Sequence, residues 1–314
     1  MRPQPTTDQT ITFHAADGQP LGGTIYAPTG SQGPSARLLI NSGTAISQTF
    51  YGRMARWLAS QGVITMTYDY RGVGESRPRK MPMRRFKARA ADWGKQDYPA
   101  ALAALQAQSA HLELPTFVLG HSFGGQIMGM TPATEQARGL IMVASQSGYW
   151  GHWSGMGRAQ MAAWWHLIVP SLAGPLGYLP GGAGLGADIP GQMALQWARW
   201  GRHRDYLLSD PELDAKRQFA ALRMPKLAYT FTDDRLAPPK AVDALLSWLP
   251  QASLERRVVH PHELGRKEIG HFNFFRPAFK DPLWAEVLDF IQEHRRPDSL
   301  PIPQTPNIVY GKAA

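Results

Sequence analysis

Apolar and polar positions follow two different periods along this chain, and each change of period marks an element. Ile11 to His14 and Leu21 to Ala27 flank Asp17-Gly18 and read as an N-terminal β-hairpin, because Asp-Gly suits a tight turn. Arg37 to Asn41 is a short apolar run of the kind a sheet buries. Thr49 to Ser60 has helical spacing and stops at Gly62, after which Val63 to Tyr70 returns to strand. The exchange repeats through a helix from Asp97 to Gln108, a strand from Phe117 to Gly120, a helix from Phe123 to about Met130 and a strand from Gly139 to Ala144. Such alternation predicts an α/β chain with a mostly parallel sheet flanked by helices.

From about Gln146 to Asp210 the exchange stops. This interval holds six of the ten tryptophans (Trp150, Trp153, Trp164, Trp165, Trp197 and Trp200) and a glycine-rich piece from Pro180 to Gly186. It predicts an inserted helical cap that buries some aromatic faces in itself and turns others toward a site. Alternation resumes with strand Lys226 to Phe231, helix Pro239 to Leu249, strand Leu254 to Val259 and helix Pro282 to His294. The expected organisation is a core in two parts, 1–145 and 211–296, with the cap at 146–210 and an extended tail at 297–314.

Composition narrows the chemistry. The 314 residues are 43% hydrophobic and 18% charged, as in a globular protein. There is no cysteine, which excludes disulfides, thiolate catalysis and cysteine metal sites. Residues Met1 to Asp8 have no apolar run after their charge, so a secretory signal is not expected and a cytoplasmic location is. Met161 to Leu179 is as long as a membrane span, but His166, Pro170, Gly174, Pro175 and Gly177 argue against one. Lys and Arg number 33 against 24 Asp and Glu, and much of the excess lies in Arg77, Arg79, Lys80, Arg84, Arg85, Lys87 and Arg89. This run could attract an anionic carrier, but it lacks the aromatic platform or motif of a nucleic-acid site and reads best as a solvated loop.

The candidate chemistry starts at Gly120-His121-Ser122-Phe123-Gly124, a G-x-S-x-G sequence between an apolar strand and a helix. In that setting the serine occupies a sharp turn with its hydroxyl exposed near a helix N-terminus. Serine is a weak nucleophile that needs a base, and the base needs an orienting acid. After the strand that follows the cap, Asp233-Asp234-Arg235-Leu236-Ala237-Pro238 offers two acids. Asp234 is the better placed, with Asp233 left to make local turn hydrogen bonds. His271 lies between the last strand and the last helix and is the expected base; His260 and His262 compete from just beyond the strand. The oxyanion donors expected are the Phe123 N–H and the Thr44 N–H, with Ala45 as the alternative. Trp150, Trp153, Trp164 and Trp165 are candidate substrate contacts from the cap. The histidines show no paired ligand spacing, so neither a metal nor a cofactor is expected. Asp69-Tyr70-Arg71-Gly72-Val73-Gly74-Glu75-Ser76 lacks the third glycine of a dinucleotide fingerprint and reads as a tight loop in which Asp69 and Arg71 pin neighbouring loops.

Taken together, the Asp69 to Ser76 segment, Gly120 to Gly124, Asp234 to Pro238 and Gly270-His271-Phe272 resemble the α/β-hydrolase superfamily, from about Ile11 to His294. The nearest likeness is to the serine-nucleophile branch of monoacylglycerol lipases, esterases and prolyl-aminopeptidase-like enzymes. Gly270 to Arg276 with Trp197 to Trp200 is also similar to bacterial α/β-hydrolases of undefined substrate. One departure is Ser42-Gly43, where many relatives carry His-Gly before the oxyanion loop. The resemblance implies an α/β-hydrolase fold with an inserted cap and a Ser122-Asp234-His271 triad cleaving a small-molecule carboxylic ester through an acyl-enzyme. A thioesterase or acyltransferase, an aminopeptidase and a non-catalytic binding protein are the alternatives, in that order.

Overall fold

Residues 3–295 are described by the computed structural model. Among them the strands are β1 Thr6–His14, β2 Pro20–Pro28, β3 Ala36–Asn41, β4 Val63–Tyr68, β5 Thr116–His121, β6 Gly139–Val143, β7 Tyr178–Leu179, β8 Ile189–Pro190, β9 Lys226–Phe231 and β10 Leu254–Val259. The α-helices are α1 Gly52–Ser60, α2 Ala90–Asp92, α3 Tyr98–Ala107, α4 Phe123–Gln126, α5 Gly155–Ala163, α6 Val169–Leu176, α7 Gly191–Arg202, α8 Ala215–Ala221, α9 Pro239–Leu246 and α10 Ala285–His294.

One sheet of eight strands runs in the order β1-β2-β4-β3-β5-β6-β9-β10. The β1–β2 and β2–β4 pairs are antiparallel, and every pair from β4 to β10 is parallel. Every residue of β3, β4, β5, β6 and β9 is buried, because helices cover both faces of a parallel sheet. The edge strands β1 and β10 are largely exposed instead, each with four consecutive exposed residues. Helix α1 shows the matching helical logic, with Met54, Ala55, Leu58 and Ala59 buried along one stripe.

The element boundaries differ from the sequence reading where side chains intervene. The first helix opens with a 3₁₀ turn, Gln48–Tyr51, because the Asp69 carboxylate accepts the Gln48 N–H at 2.8 Å. The same carboxylate accepts the Glu75 N–H at 2.9 Å, so the strand ends at Tyr68 rather than Tyr70. Arg71 does pin its surroundings, through bonds of 2.7 Å to Asp97 and 2.6 Å to Asp17 at the hairpin turn. The helix after the elbow stays α-helical only to Gln126 and tightens to 3₁₀ through Ile127–Met130, with Gly129 outside helical angles. The last helix begins as a π turn at Lys280–Trp284. Helix α8 had no counterpart in the sequence reading. The expected tail, 297–314, lies outside the described residues.

Between β6 and β9 the chain leaves the sheet for α5, α6, the β7–β8 ribbon, α7 and α8. The apolar Met161 to Leu179 stretch becomes a π turn, Trp164–Ile168, running into α6, which closes at Gly177 in the left-handed region. No helix among the described residues is long and apolar enough to cross a membrane. The parallel strands deliver their following loops to one end of the sheet, which is where an open α/β sheet gathers its chemistry.

Candidate active site

Ser122 sits between β5 and α4 with φ 52° and ψ −116°. For a residue bearing Cβ such angles cost about 1–3 kcal/mol, and they persist only where the surroundings over-determine them. They do so here. The Ser122 N–H donates to the Val143 carbonyl at 2.9 Å and its own carbonyl accepts from Gly125 at 3.1 Å. A Cβ on Gly124 would stand 2.2 Å from the Asn41 carbonyl oxygen, and one on Gly120 would stand 2.5 Å from the Gly124 backbone. Strand and helix therefore pass at a distance that glycine alone permits, and the turn between them presents the serine, 8% exposed, at the sheet's loop end.

The two adjacent aspartates divide one task. Asp234 Oδ1 accepts the N–H groups of Leu236 at 2.8 Å and Ala237 at 3.0 Å, while Oδ2 meets His271 Nδ1 at 2.7 Å. A carboxylate held by two amides has little freedom, so it fixes the imidazole and selects the tautomer with Nδ1 protonated. The turn role expected of Asp233 needs correction. Its Oδ2 accepts the N–H groups of Ile269 at 2.9 Å and Gly270 at 3.0 Å, in the loop that leads into His271. Asp234 thus holds the ring and Asp233 holds the backbone behind it. His260 and His262 make no bond to Asp234; their rings lie 5.3 Å apart beyond β10.

His271 is brought beside the elbow by His121. The His121 Nε2 lies 2.8 Å from the His271 carbonyl, and the two rings are 5.0 Å apart. Ser122 Oγ itself makes no hydrogen bond to His271. Such contacts often tighten only when a substrate is bound.

Two sets of backbone donors lie at this end of the sheet. Phe123 opens α4, so its N–H has no intrahelical acceptor. In the loop after β3, the Gly43 N–H is taken by Tyr51 and the Gly43 carbonyl by the Ile46 N–H. The amides of Thr44 and Ala45 between them have no acceptor among the described residues.

The four tryptophans expected as substrate contacts separate in position. Trp165 is buried, with its N–H on the Gly148 carbonyl at 2.9 Å, and belongs to the interior of the segment. Trp153 donates to the Arg235 carbonyl at 3.0 Å and so touches the loop that holds Asp234. Trp150 lies under the Arg158 guanidinium at 4.9 Å, and Trp164 is half-buried beside Trp165. Trp197, absent from the sequence-based set, lies 6.0 Å from Phe123 and 4.8 Å from Trp165, and its N–H reaches Tyr206 at 2.7 Å. Sequence reasoning also missed Tyr51 and His121 as parts of this region, and missed the partners of Asp233. The only local signal was that His121 stands inside the G-x-S-x-G stretch.

Elsewhere, a cavity of about 700 Å³ lined by Arg37, Leu114, Thr116 and Arg138 opens at the opposite end of the sheet from Ser122. The basic run is partly paired: Arg77 with Asp188 at 3.1 Å, Arg79 with Glu75 at 2.8 Å and Arg89 with Glu212 at 2.5 Å. Exposed pairs of this kind contribute little stability. Among the described residues, no group of three or more His, Asp or Glu is placed to hold a metal ion.

A mostly parallel eight-stranded sheet, a serine on a strained strand-to-helix turn and an Asp–His pair on later strand-end loops define a protein of the α/β-hydrolase fold. More narrowly, the family model described as serine aminopeptidase, S33, matches residues 32–190, half of the chain, and the chain belongs to that family. Human monoglyceride lipase is 28% identical over 137 residues, covering 41% of this chain and 40% of that enzyme, so the match spans less than half of either. Solved structures share the fold. The esterase domain of a Rhodothermus marinus protein superposes with a TM-score of 0.59 at 17% identity, covering 91% of this chain and 98% of that one. A Pyrococcus furiosus esterase gives 0.62 at 12% identity, covering 93% and 92%. Brefeldin A esterase, described as a bacterial homologue of human hormone-sensitive lipase, gives 0.59 at 17% identity, covering 92% and 77%.

Proposed function

We propose that this protein is a serine hydrolase that cleaves small-molecule carboxylic esters through an acyl-enzyme on Ser122. The observation that carries the reading is the 2.7 Å bond from Asp234 to His271 Nδ1, made by a carboxylate whose other oxygen is held by two amides. It leaves Nε2 of His271 as the free basic nitrogen next to the elbow. In the first step His271 Nε2 takes the Ser122 proton as the oxygen attacks the ester carbon. Asp234 stabilises the imidazolium, and the Phe123 N–H with that of Thr44, or of Ala45, receives the oxyanion. The proton then passes to the leaving alcohol. A water enters, gives its proton to His271 and attacks the acyl-enzyme, and collapse returns the proton to Ser122 and releases the acid. Nucleophile, base and anion stabilisation are all supplied by the chain, so the reaction needs no cofactor.

The segment 146–210 acts as a lid over this site. Trp150, Trp153 and Trp164 give it apolar contact with the acyl or alcohol part of the substrate, and Trp165 supports them from within. The names of the lipase and esterases similar to this chain accord with that class of substrate. The direct test is turnover of p-nitrophenyl esters from short to long acyl chains, with acyl-CoA in the same panel and Ser122→Ala as control. Wild-type turnover of one or more plain esters, lowered at least about 10⁴-fold in Ser122→Ala, is the expected result. Equal background rates for both proteins would overturn the reading. Hydrolysis confined to acyl-CoA and suppressed by salt would move it to a thioesterase served by the basic run.

A further inference from the structure

Tyr51 and His121 are buried side chains that touch no reacting atom, and they are hydrogen-bonded in a way that allows one arrangement of protons. The Tyr51 hydroxyl lies 2.8 Å from the Gly43 N–H and 2.8 Å from His121 Nδ1. The Gly43 amide can only donate, so the hydroxyl oxygen accepts there and leaves its single proton free for Nδ1, the direction that the His271 carbonyl on the other ring nitrogen requires. His121 must then carry its own proton on Nε2, and that atom faces the His271 carbonyl at 2.8 Å, which can only accept. Burial, and the neighbouring His271, push the His121 pKa well below the usual histidine range, so the ring remains neutral and keeps this tautomer. The Tyr51 ring is itself wedged edge-on against Phe275 at 4.8 Å and Phe50 at 5.1 Å, which fixes where its hydroxyl stands.

We infer that Tyr51 and His121 are positioning residues that lock the oxyanion loop to the loop of the general base across the nucleophile elbow. The inference rests on the serine-hydrolase reading above. Its physical content is that two strand-end loops, after β3 and β10, are joined through the last residue of β5 by one chain of bonds running Gly43 to Tyr51 to His121 to His271. Orientation of an oxyanion hole and a base must hold to a fraction of an ångström for the transition state to be stabilised, and loops alone seldom supply that. Here the departure at Ser42-Gly43 is met by a tyrosine from the following turn, which takes the Gly43 amide and so sets the Ser42–Gly43 peptide, one before the peptide that carries the Thr44 N–H. Removing the hydroxyl frees that peptide. It also leaves His121 Nδ1 without a donor and lets the proton shift from Nε2, which would set two lone pairs against each other at the His271 carbonyl.

The test uses the full chain with three substitutions. Tyr51→Phe keeps the packed ring and deletes the hydroxyl. His121→Leu removes both ring bonds, and His121→Gln restores an acceptor and a donor on one amide. Two quantities are read for each: kcat and KM on the best p-nitrophenyl ester, and the affinity of a trifluoromethyl ketone that adds to Ser122 to give an oxyanion. Tyr51→Phe is expected to lower kcat by about 10- to 100-fold, leave KM within about threefold, and weaken ketone binding by a factor similar to the loss in kcat/KM. His121→Leu should lose at least as much, and His121→Gln should recover to within about fivefold of wild type. ¹⁵N NMR should find His121 protonated at Nε2 in the wild type and mixed between tautomers in Tyr51→Phe.

A merely structural role would lower the melting temperature and leave kcat and ketone affinity within about twofold in Tyr51→Phe, and that result overturns the inference. Should His121→Leu fail to fold, Tyr51→Phe decides alone. Failure of the underlying reading looks different, since the wild type would then hydrolyse no ester faster than Ser122→Ala.

Discussion

The loop end of the sheet and the segment between β6 and β9 are both rich in buried aromatic and polar groups, yet they hold their side chains by different means. At the loop end, position comes from backbone: the Ser122 N–H is bound to Val143, and Asp233 and Asp234 each accept two amides. In the inserted segment, position comes from indole N–H groups. Trp153 reaches Arg235, Trp165 reaches Gly148, Trp197 reaches Tyr206 and Trp200 reaches Asp210. A ladder of amides is cooperative and tolerates little displacement, whereas a bulky ring with one polar tip can pivot on that tip. The difference suits the proposed roles of the two regions, a reaction centre and a lid that must admit substrate.

Substitutions break or sharpen that contrast, and the largest effect comes from the tightest backbone contact. Gly124→Ala places a methyl against the Asn41 carbonyl, where neither strand nor helix can retreat. We expect at least about 3 kcal/mol of destabilisation in urea unfolding, or no folded protein at all. A folded Gly124→Ala of wild-type stability would show that the elbow is looser than this contrast requires.

Next is Asp234→Ala, which should cut kcat by about 10³- to 10⁴-fold in steady-state ester turnover while the protein still folds. Asp233→Ala should act on the same base more weakly, through the Ile269 and Gly270 amides it releases. About a tenfold fall in kcat, with about 1–3 kcal/mol lost in urea unfolding, is expected. If Asp233→Ala changes stability alone, the division of labour between the two acids is wrong.

Trp153→Phe tests the other side. It removes the N–H bonded to Arg235 and keeps an aromatic ring, so KM for long-chain esters should change about threefold while kcat on an acetate ester stays within about twofold. A kcat loss as large as that of Asp233→Ala would erase the distinction between cover and centre.

The smallest effect lies far from both regions, at the start of β9. Burial pushes the Lys226 ammonium down to about 8, although its Nζ donates to the carbonyls of Leu222 at 2.9 Å and Met224 at 2.8 Å and bonds the Ser253 hydroxyl. The unfolded chain keeps that proton up to the ordinary lysine value of 10.5, so between about pH 8 and 10.5 the unfolded state binds more protons and stability rises with pH. Lys226→Met should remove that rise, read as the difference in unfolding free energy between pH 8 and pH 10, with ester turnover at neutral pH unchanged. An undiminished rise would mean that Lys226 is not its source.

Much of this arrangement was legible in the chain because it is local. The run Thr116 to Leu119 followed by Gly120 and Gly124 marks a strand that must turn sharply, and the Asp234 to Pro238 turn is written in adjacent residues. The two-part parallel sheet followed from alternating periods in the same way. What could not be read there depends on partners far apart in sequence. Asp233 looked like a turn residue because its amide partners stand 36 and 37 positions later. His121 pairs with His271 across 150 positions and with Tyr51 across 70, and no spacing signals either. The sequence offers Trp165 and not Trp197 as a contact, because composition reports that indoles are present and not which way they face.

By itself the sequence determined the order of the elements, the strained turn at Ser122 and the residue types available to serve it, since these follow from steric limits and short-range hydrogen bonding within a few residues. Tertiary structure alone decided that Asp233 holds the loop that leads into His271, that Tyr51 and His121 join the ends of three strands, and which tryptophans are interior. Those outcomes depend on which strand ends the parallel sheet sets side by side, and side chains on separate loops bond only when that register places a donor within about 3 Å of an acceptor.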